Sequence, residues 1–168
     1  MTRPLPTPIH DILVICSGNI CRSPMAAAAL RAELATAGVR GARVHSAGTV
    51  ATPGALASPE AVETAEEHGL DISYHRATPL TRELVRRADL IVVMEKSHAD
   101  AVRALDFNAG YKTFLLSEWA DDAQRGGDIP DPYGMPYAFF EVVFRRQNEA
   151  VKRLAAQIGQ NSGPKKPD

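Results

Sequence analysis

The stretch Asp11-Ile12-Leu13-Val14-Ile15-Cys16-Ser17-Gly18-Asn19-Ile20-Cys21-Arg22-Ser23-Pro24 decides the reading of the fold. Residues 11–15 are a short apolar run rich in β-branched side chains, too brief for a helix, which predicts a buried strand. Residues 16–22 are a polar loop containing Gly18 and Asn19. Ser23 as a cap and Pro24 in the first turn predict a helix through the alanine-rich segment that follows, with Gly38 as its stop. The opening unit is strand, loop, helix.

The pattern repeats outward from there. Residues 42–46 predict a second strand. Ser58-Pro59 opens a second helix with Ala61, Val62, Ala65 and Leu70 on its apolar side, ending near Gly69. Thr81 caps a short helix over 82–88. Residues 90–94 are apolar throughout, as expected of a strand covered on both faces. A helix over 97–105, a fourth strand over 112–116, a long Gly/Pro/Asp-rich loop over 121–136 and a terminal helix over 139–158 complete the chain. Strands alternating with helices imply an α/β three-layer architecture, a four-stranded parallel sheet with helices on both faces. Ligands of such sheets bind beyond the carboxyl ends of the strands, where the Cys16 loop sits. A length of 168 residues suits a single domain over 1–168 with a full core. Residues 1–10 and 159–168 are expected to be flexible ends.

Composition narrows the function. A formal net charge of −1 gives no reason to expect nucleic-acid or membrane-surface binding. No run approaches the roughly 20 apolar residues of a membrane span. The first ten residues hold no apolar run, so they are not expected to be a signal peptide, and a cytoplasmic location follows as the default. The only cysteines are Cys16 and Cys21. They make no disulfide framework and have no nearby partners for a zinc site, so no metal or cofactor is expected.

The loop from Cys16 to Ser23 has the parts an anion requires. A loop running into a helix N-terminus offers backbone N–H groups and the positive end of the helix dipole. Gly18 lets backbone approach closely, and Asn19 tolerates left-handed geometry. Arg22 adds a planar fork for two phosphate oxygens. The same field favours a Cys16 thiolate, which would face a bound phosphate as a nucleophile placed for in-line attack. Ser23 could donate a hydrogen bond to that sulfur. A cysteine after a strand is commonly only a small core residue. A Cys with Arg six positions on arises by chance about once in twenty cysteines, and the Ser, strand and helix together bring this to roughly a few in a thousand.

Residues 14–26, Val-Ile-Cys-Ser-Gly-Asn-Ile-Cys-Arg-Ser-Pro-Met-Ala, resemble the phosphate loop of the low-molecular-weight protein tyrosine phosphatases. The similarity extends over about residues 11–158, with Ser46-Ala47-Gly48-Thr49 and Asp131-Pro132-Tyr133-Gly134 as further anchors. The resemblance implies a flavodoxin-like fold and hydrolysis of a phosphorylated protein or peptide through a phosphocysteine, releasing inorganic phosphate. It implies catalytic roles for Cys16, Arg22 and Asp131. Asp-Pro alone is a turn signal, but in that family the Asp before Pro protonates the leaving oxygen and then activates water. Asp128 is a nearby competitor that no proline follows. Ser17, Gly18, Asn19, Ile20, Cys21, Ser23 and Tyr133 are implied as substrate-binding residues, and Ser46 and His75 as supports that bond the loop into shape. A monomer or weak dimer is expected.

The chain also departs from the family. Thr78 stands where an Arg often follows the His, and Thr49-Val50-Ala51-Thr52 lacks a bulky pocket-wall residue after the second strand. Residues 78–81, 88–90 and 58–62 resemble a bacterial branch that dephosphorylates arginine. Ile20 points to tyrosine, because an apolar side chain suits an aromatic ring and the Thr of the arginine branch suits a guanidinium. Thioredoxin-coupled arsenate reduction would need cysteines beyond Cys21, and none exists. A non-catalytic phosphotyrosine reader would be expected to lose the nucleophile or the acid. A reversible Cys16–Cys21 disulfide under oxidation is a further expectation.

Overall fold

The structure, a computed structural model, describes residues 3–121 and 123–163. Four strands, β1 (Asp11–Cys16), β2 (Arg43–Gly48), β3 (Leu90–Val93) and β4 (Thr113–Leu115), form one sheet in the order β2-β1-β3-β4. Every pairing is parallel, with Ile12 opposite Val44 and Leu90, and Ile91 opposite Thr113. This is the α/β three-layer fold expected from the sequence. Successive strand side chains point to opposite faces. Ile12, Val14, Leu90 and Val92 pack on one side with α1 (Arg22–Thr36), α2 (Pro59–Glu67) and α5 (Tyr137–Ser162). Leu13, Ile15, Ile91 and Val93 pack on the other side with α3 (Arg82–Arg87) and α4 (Lys96–Leu105). The apolar runs noted in the sequence have two faces to fill, which is why they do not alternate.

Helix α1 is buried from Arg22 to Leu30, between the sheet and α5. The small side chains Ala26, Ala27, Ala28 and Ala29 allow that close sandwich, and Phe140, Phe144, Leu154 and Ile158 of α5 close over it. Each of these large side chains contributes about 1.5–3 kcal/mol by burial. Ser58 and Thr81 cap α2 and α3 as their sequence positions suggest, accepting from Ala61 N and Leu84 N.

Several boundaries differ from the sequence reading. Strand β2 runs on to Gly48 because Ser46, Ala47 and Gly48 pair with Val14, Ile15 and Cys16. Strand β4 is shorter than expected and lies between 3-10 turns at Phe107–Lys112 and Leu116–Trp119. Lys112, read as its first residue, is buried instead, and its Nζ donates to Ala88 O at 2.6 Å and Arg86 O at 3.3 Å, capping the end of α3. The described parts of the two ends make defined contacts. Arg3 donates to Thr113 O at 2.7 Å and lies 4.2 Å over the Phe114 ring, and Leu5 joins the core. Helix α5 continues through residues 159–162. Residues 1–2 and 164–168 lie outside the described residues. No helix among the described residues is long and apolar enough to cross a membrane.

Candidate active site

At the carboxyl edge of β1 the chain enters the loop 17–21 and then α1. Ser23 is not the cap of α1. Cys21 is, with no side-chain cap bond, so Arg22 begins the helix and Ser23-Pro24 complete its first turn. The Ser23 hydroxyl is thereby freed to face Cys16, with Oγ 3.0 Å from Sγ. Asn19 Nδ2 donates to Ser23 Oγ at 2.8 Å. That donor occupies a lone pair of Ser23 and leaves its proton for the sulfur, the only direction a Cys16 thiolate permits. Asn19 N–H also points at Sγ, at 3.3 Å.

Asn19 organises the loop. It has φ 55°, the left-handed conformation its residue type tolerates. It is fully buried. Its Nδ2 also donates to Ser46 Oγ at 2.9 Å, its Oδ1 accepts from Thr78 N at 2.8 Å, and its carbonyl accepts from His75 Nε2 at 2.6 Å. Ser46 and His75 therefore meet the loop as expected, both through Asn19. Burial, before any charge, holds His75 below the usual histidine range. Position 78 contributes its main chain, donating to Asn19 and accepting from Gly48 N. Gly48 lies directly under the loop, where a Cβ would sit 2.4 Å from Ser17 O and 2.9 Å from Asn19 N. Only glycine permits that approach.

Arg22 is 1% exposed. Its Nη1 pairs with Glu95 and donates to Ile129 O at 2.8 Å. Its Nη2 reaches Ser17 Oγ at 3.3 Å and Asp131 Oδ2 at 3.4 Å, and its buried Nε has no hydrogen-bond partner among the described residues. Burial pushes the Glu95 carboxyl up, but the hydrogen bond and charge of Arg22 outweigh it and hold the group below the usual carboxylate range. Glu95 is thus an anionic clamp on the guanidinium, and Gln147 Nε2 holds the Arg22 carbonyl at 3.0 Å.

The residues 127–133 bring the second carboxylate. Ile129 N bonds Met94 O, and Asp128 Oδ1 accepts from Lys96 N at 2.8 Å. Asp128 is thereby spent at the start of α4. Asp131 is freer, since its Oδ1 accepts from Tyr133 N at 3.1 Å while Oδ2 faces Arg22.

These elements enclose a cavity of about 300 Å³ lined by Cys16, Ser17, Gly18, Ile20, Cys21, Arg22, Val50, Thr52, Ala55, Asp131 and Tyr133. Of the residues expected to bind substrate, Ser17, Gly18, Ile20, Cys21 and Tyr133 line it. Asn19 and Ser23 stand behind it, because their polar groups are consumed in shaping the loop. Among the described residues a Cβ at Gly18 would meet only Ile20, at 3.5 Å, which is ordinary contact and does not demand glycine there. Cys16 and Cys21 are free thiols. Cys21 Sγ lies 3.2 Å from Ser58 Oγ, and burial pushes its pKa up to about 11. Val50 and Thr52 fall in the stretch 49–52, where the sequence offered no bulky wall residue, and they line the cavity with smaller side chains. The wall residue Ala55 and the supports Glu95, His98 and Gln147 were not recognised in the sequence. Glu95 and His98 follow the third strand at the carboxyl edge of the sheet, which is the signal that would have found them. Gln147 interrupts the apolar stripe of α5, a polar residue at a core position.

A nucleophilic sulfur, a buried guanidinium and a carboxylate around one small cavity define a site for a tetrahedral oxyanion and a displacement at its centre. The family described as low molecular weight phosphotyrosine protein phosphatase matches residues 11–163, and the chain belongs to that family. The probable low molecular weight protein-tyrosine-phosphatase EpsP of Ralstonia nicotianae is 44% identical over 150 residues, covering 89% of this chain and 97% of its own. The crystal structure of the tyrosine phosphatase Wzb from Escherichia coli K30 in complex with sulphate matches with TM-score 0.79 and 38% identity, covering 88% of this chain and 96% of that one. The YwlE arginine phosphatase, as a Cys-to-Ser mutant with phosphorylated active site serine, matches with TM-score 0.83 and 32% identity, covering 90% and 97%.

Proposed function

We propose that this chain hydrolyses phosphotyrosine in proteins or peptides through a phosphocysteine on Cys16. The observation that carries the reading is the single cavity in which Cys16, Arg22 and Asp131 meet apolar walls from Ile20, Val50 and Tyr133. The Cys16 thiolate attacks phosphorus, and the P–O bond to tyrosine breaks as the S–P bond forms. Asp131 supplies the proton that the leaving phenolate needs. Backbone amides of the loop and Arg22 hold the equatorial oxygens, and Ser23 donates to the sulfur. Asp131, now a carboxylate, takes a proton from water as that water attacks phosphocysteine. Inorganic phosphate departs and the thiolate returns. Asn19, Ser46 and His75 keep the loop in shape throughout.

Tyrosine is favoured over arginine by the wall. Ile20 and Val50 offer an aromatic ring apolar contact, and a guanidinium would leave most of its N–H groups without acceptors there. A free nucleophilic thiol suits the reducing cytoplasm. The test is phosphate release from matched phosphotyrosine and phosphoarginine peptides, with Cys16→Ser as the control that removes turnover. Faster release from phosphotyrosine supports the reading. Faster release from phosphoarginine transfers the chain to the arginine branch.

A further inference from the structure

His98 is a buried ring that the chemistry above leaves unused. It is 2% exposed and stands at the third position of α4. Its Nδ1 accepts the backbone N–H of Glu95 at 3.1 Å. An accepting nitrogen carries no proton, so the neutral ring holds its proton on Nε2. Nε2–H therefore donates to Ser17 Oγ at 2.9 Å. Ser17 Oγ also accepts from Arg22 Nη2 at 3.3 Å. Two donors fill both lone pairs of that hydroxyl, and its own proton remains for donation in the cavity that Ser17 lines.

The guanidinium moves as a rigid plane. Its Nη1 end is pinned by Glu95 and the Ile129 carbonyl. Its Nη2 end rests on Ser17, 3.4 Å from Asp131 Oδ2. We propose that His98 is a positioning residue: through Ser17 it sets the angle at which Arg22 presents its Nη2 edge to the phosphoryl group and to Asp131, and only the neutral Nε2–H ring can do so. The proposal rests on the phosphatase reading.

A second proton, on Nδ1, would set donor against donor at Glu95 N–H. The ring would turn, releasing both Glu95 and Ser17. The charged groups facing His98 are Arg22 from α1, Glu95 at its own helix start, and Asp128 and Asp131 from the loop before α5. Burial first, then the Arg22 charge, oppose protonation; the three carboxylates favour it, and the balance lies below the usual histidine range. Neutral pH thus keeps the relay intact, and acid breaks it.

The experiment measures kcat and KM on an aryl phosphate across the acid and neutral range for wild type, His98→Ala, Ser17→Ala and the double variant, with inorganic phosphate binding measured alongside. Each single change should lower kcat/KM about five- to tenfold and weaken phosphate binding by a similar factor. The double variant should be no worse than Ser17→Ala alone, since the relay is already broken there. The acid limb of kcat/KM should lose one protonation step in all three. Ser17→Ala leaves α4 untouched, so the relay remains testable if His98→Ala unfolds, and a long-range 1H–15N spectrum of the wild type reads the His98 tautomer directly. Additive effects, an unchanged acid limb or an Nδ1–H tautomer would overturn the proposal. Absence of turnover in the wild type would instead refute the phosphatase reading, while phosphate binding and the tautomer still judge the relay.

Discussion

Replacing Asn19 separates the shaping of the loop from its chemistry. Asn19→Ala removes three side-chain hydrogen bonds, to Ser23, Ser46 and Thr78. Each is worth about 1 kcal/mol net, and the Thr78 N–H loses its partner, so the bonds together account for about 3 kcal/mol. Alanine at φ 55° adds about 1 kcal/mol for the left-handed backbone. Asn19→Gly loses the same bonds without that strain. For a chain of this size 1 kcal/mol corresponds to roughly 2–4 °C in Tm. Asn19→Ala should therefore melt about 8–16 °C below wild type, and Asn19→Gly about 2–4 °C above Asn19→Ala. Calorimetry or thermal circular dichroism measures both, and turnover below the transition should fall in each because Ser23 loses the donor that orients it toward Cys16. An Asn19→Ala protein that melts with wild type and keeps full turnover would refute the claim that Asn19 holds the loop.

Asp131→Asn should lower turnover of phosphotyrosine by about 10²–10⁴-fold and of an ester with a good leaving group far less, because only the poor leaving group needs the proton; equal losses would remove Asp131 from the acid role. Gly48→Ala should cost about 2–3 kcal/mol of stability, read by urea unfolding, since the new methyl meets backbone atoms that cannot swing away. His75 and His98 are both held below the usual histidine range, burial being the first cause. The unfolded chain then takes up protons first, so stability should decline as pH falls through about 6.5. A urea midpoint that rises over that interval would contradict the burial assigned to these rings. Peroxide should convert Cys16 to a sulfenic acid that Cys21 closes to a disulfide with loss of water. Because the Cys21 thiol stands at about 11, closure should speed up with rising pH, and mass spectrometry of quenched samples follows it.

Much of this protein is local in its sequence. The runs at Ile12–Ile15 and Leu90–Val93, with Ser58-Pro59 and Thr81 at helix starts, specify strands and helices by periodicity and capping, which depend on near neighbours alone. Cys16, Arg22 and the left-handed Asn19 lie close together in the sequence across one strand–loop–helix junction, so their convergence was legible before any tertiary contact was known, and Asp131 was reached through the family resemblance. What needed the folded chain were partners distant in sequence. Glu95 reaches Arg22 across 73 positions and Gln147 across 125. Asp128 is taken up by Lys96 N, leaving Asp131 to face the guanidinium. The walls at Val50, Thr52 and Ala55 arise because β2 brings its following loop beside the Cys16 loop. A hydrogen bond or a cavity wall depends on distances of a few ångströms between segments, and only the packing of the sheet and its helices establishes those distances.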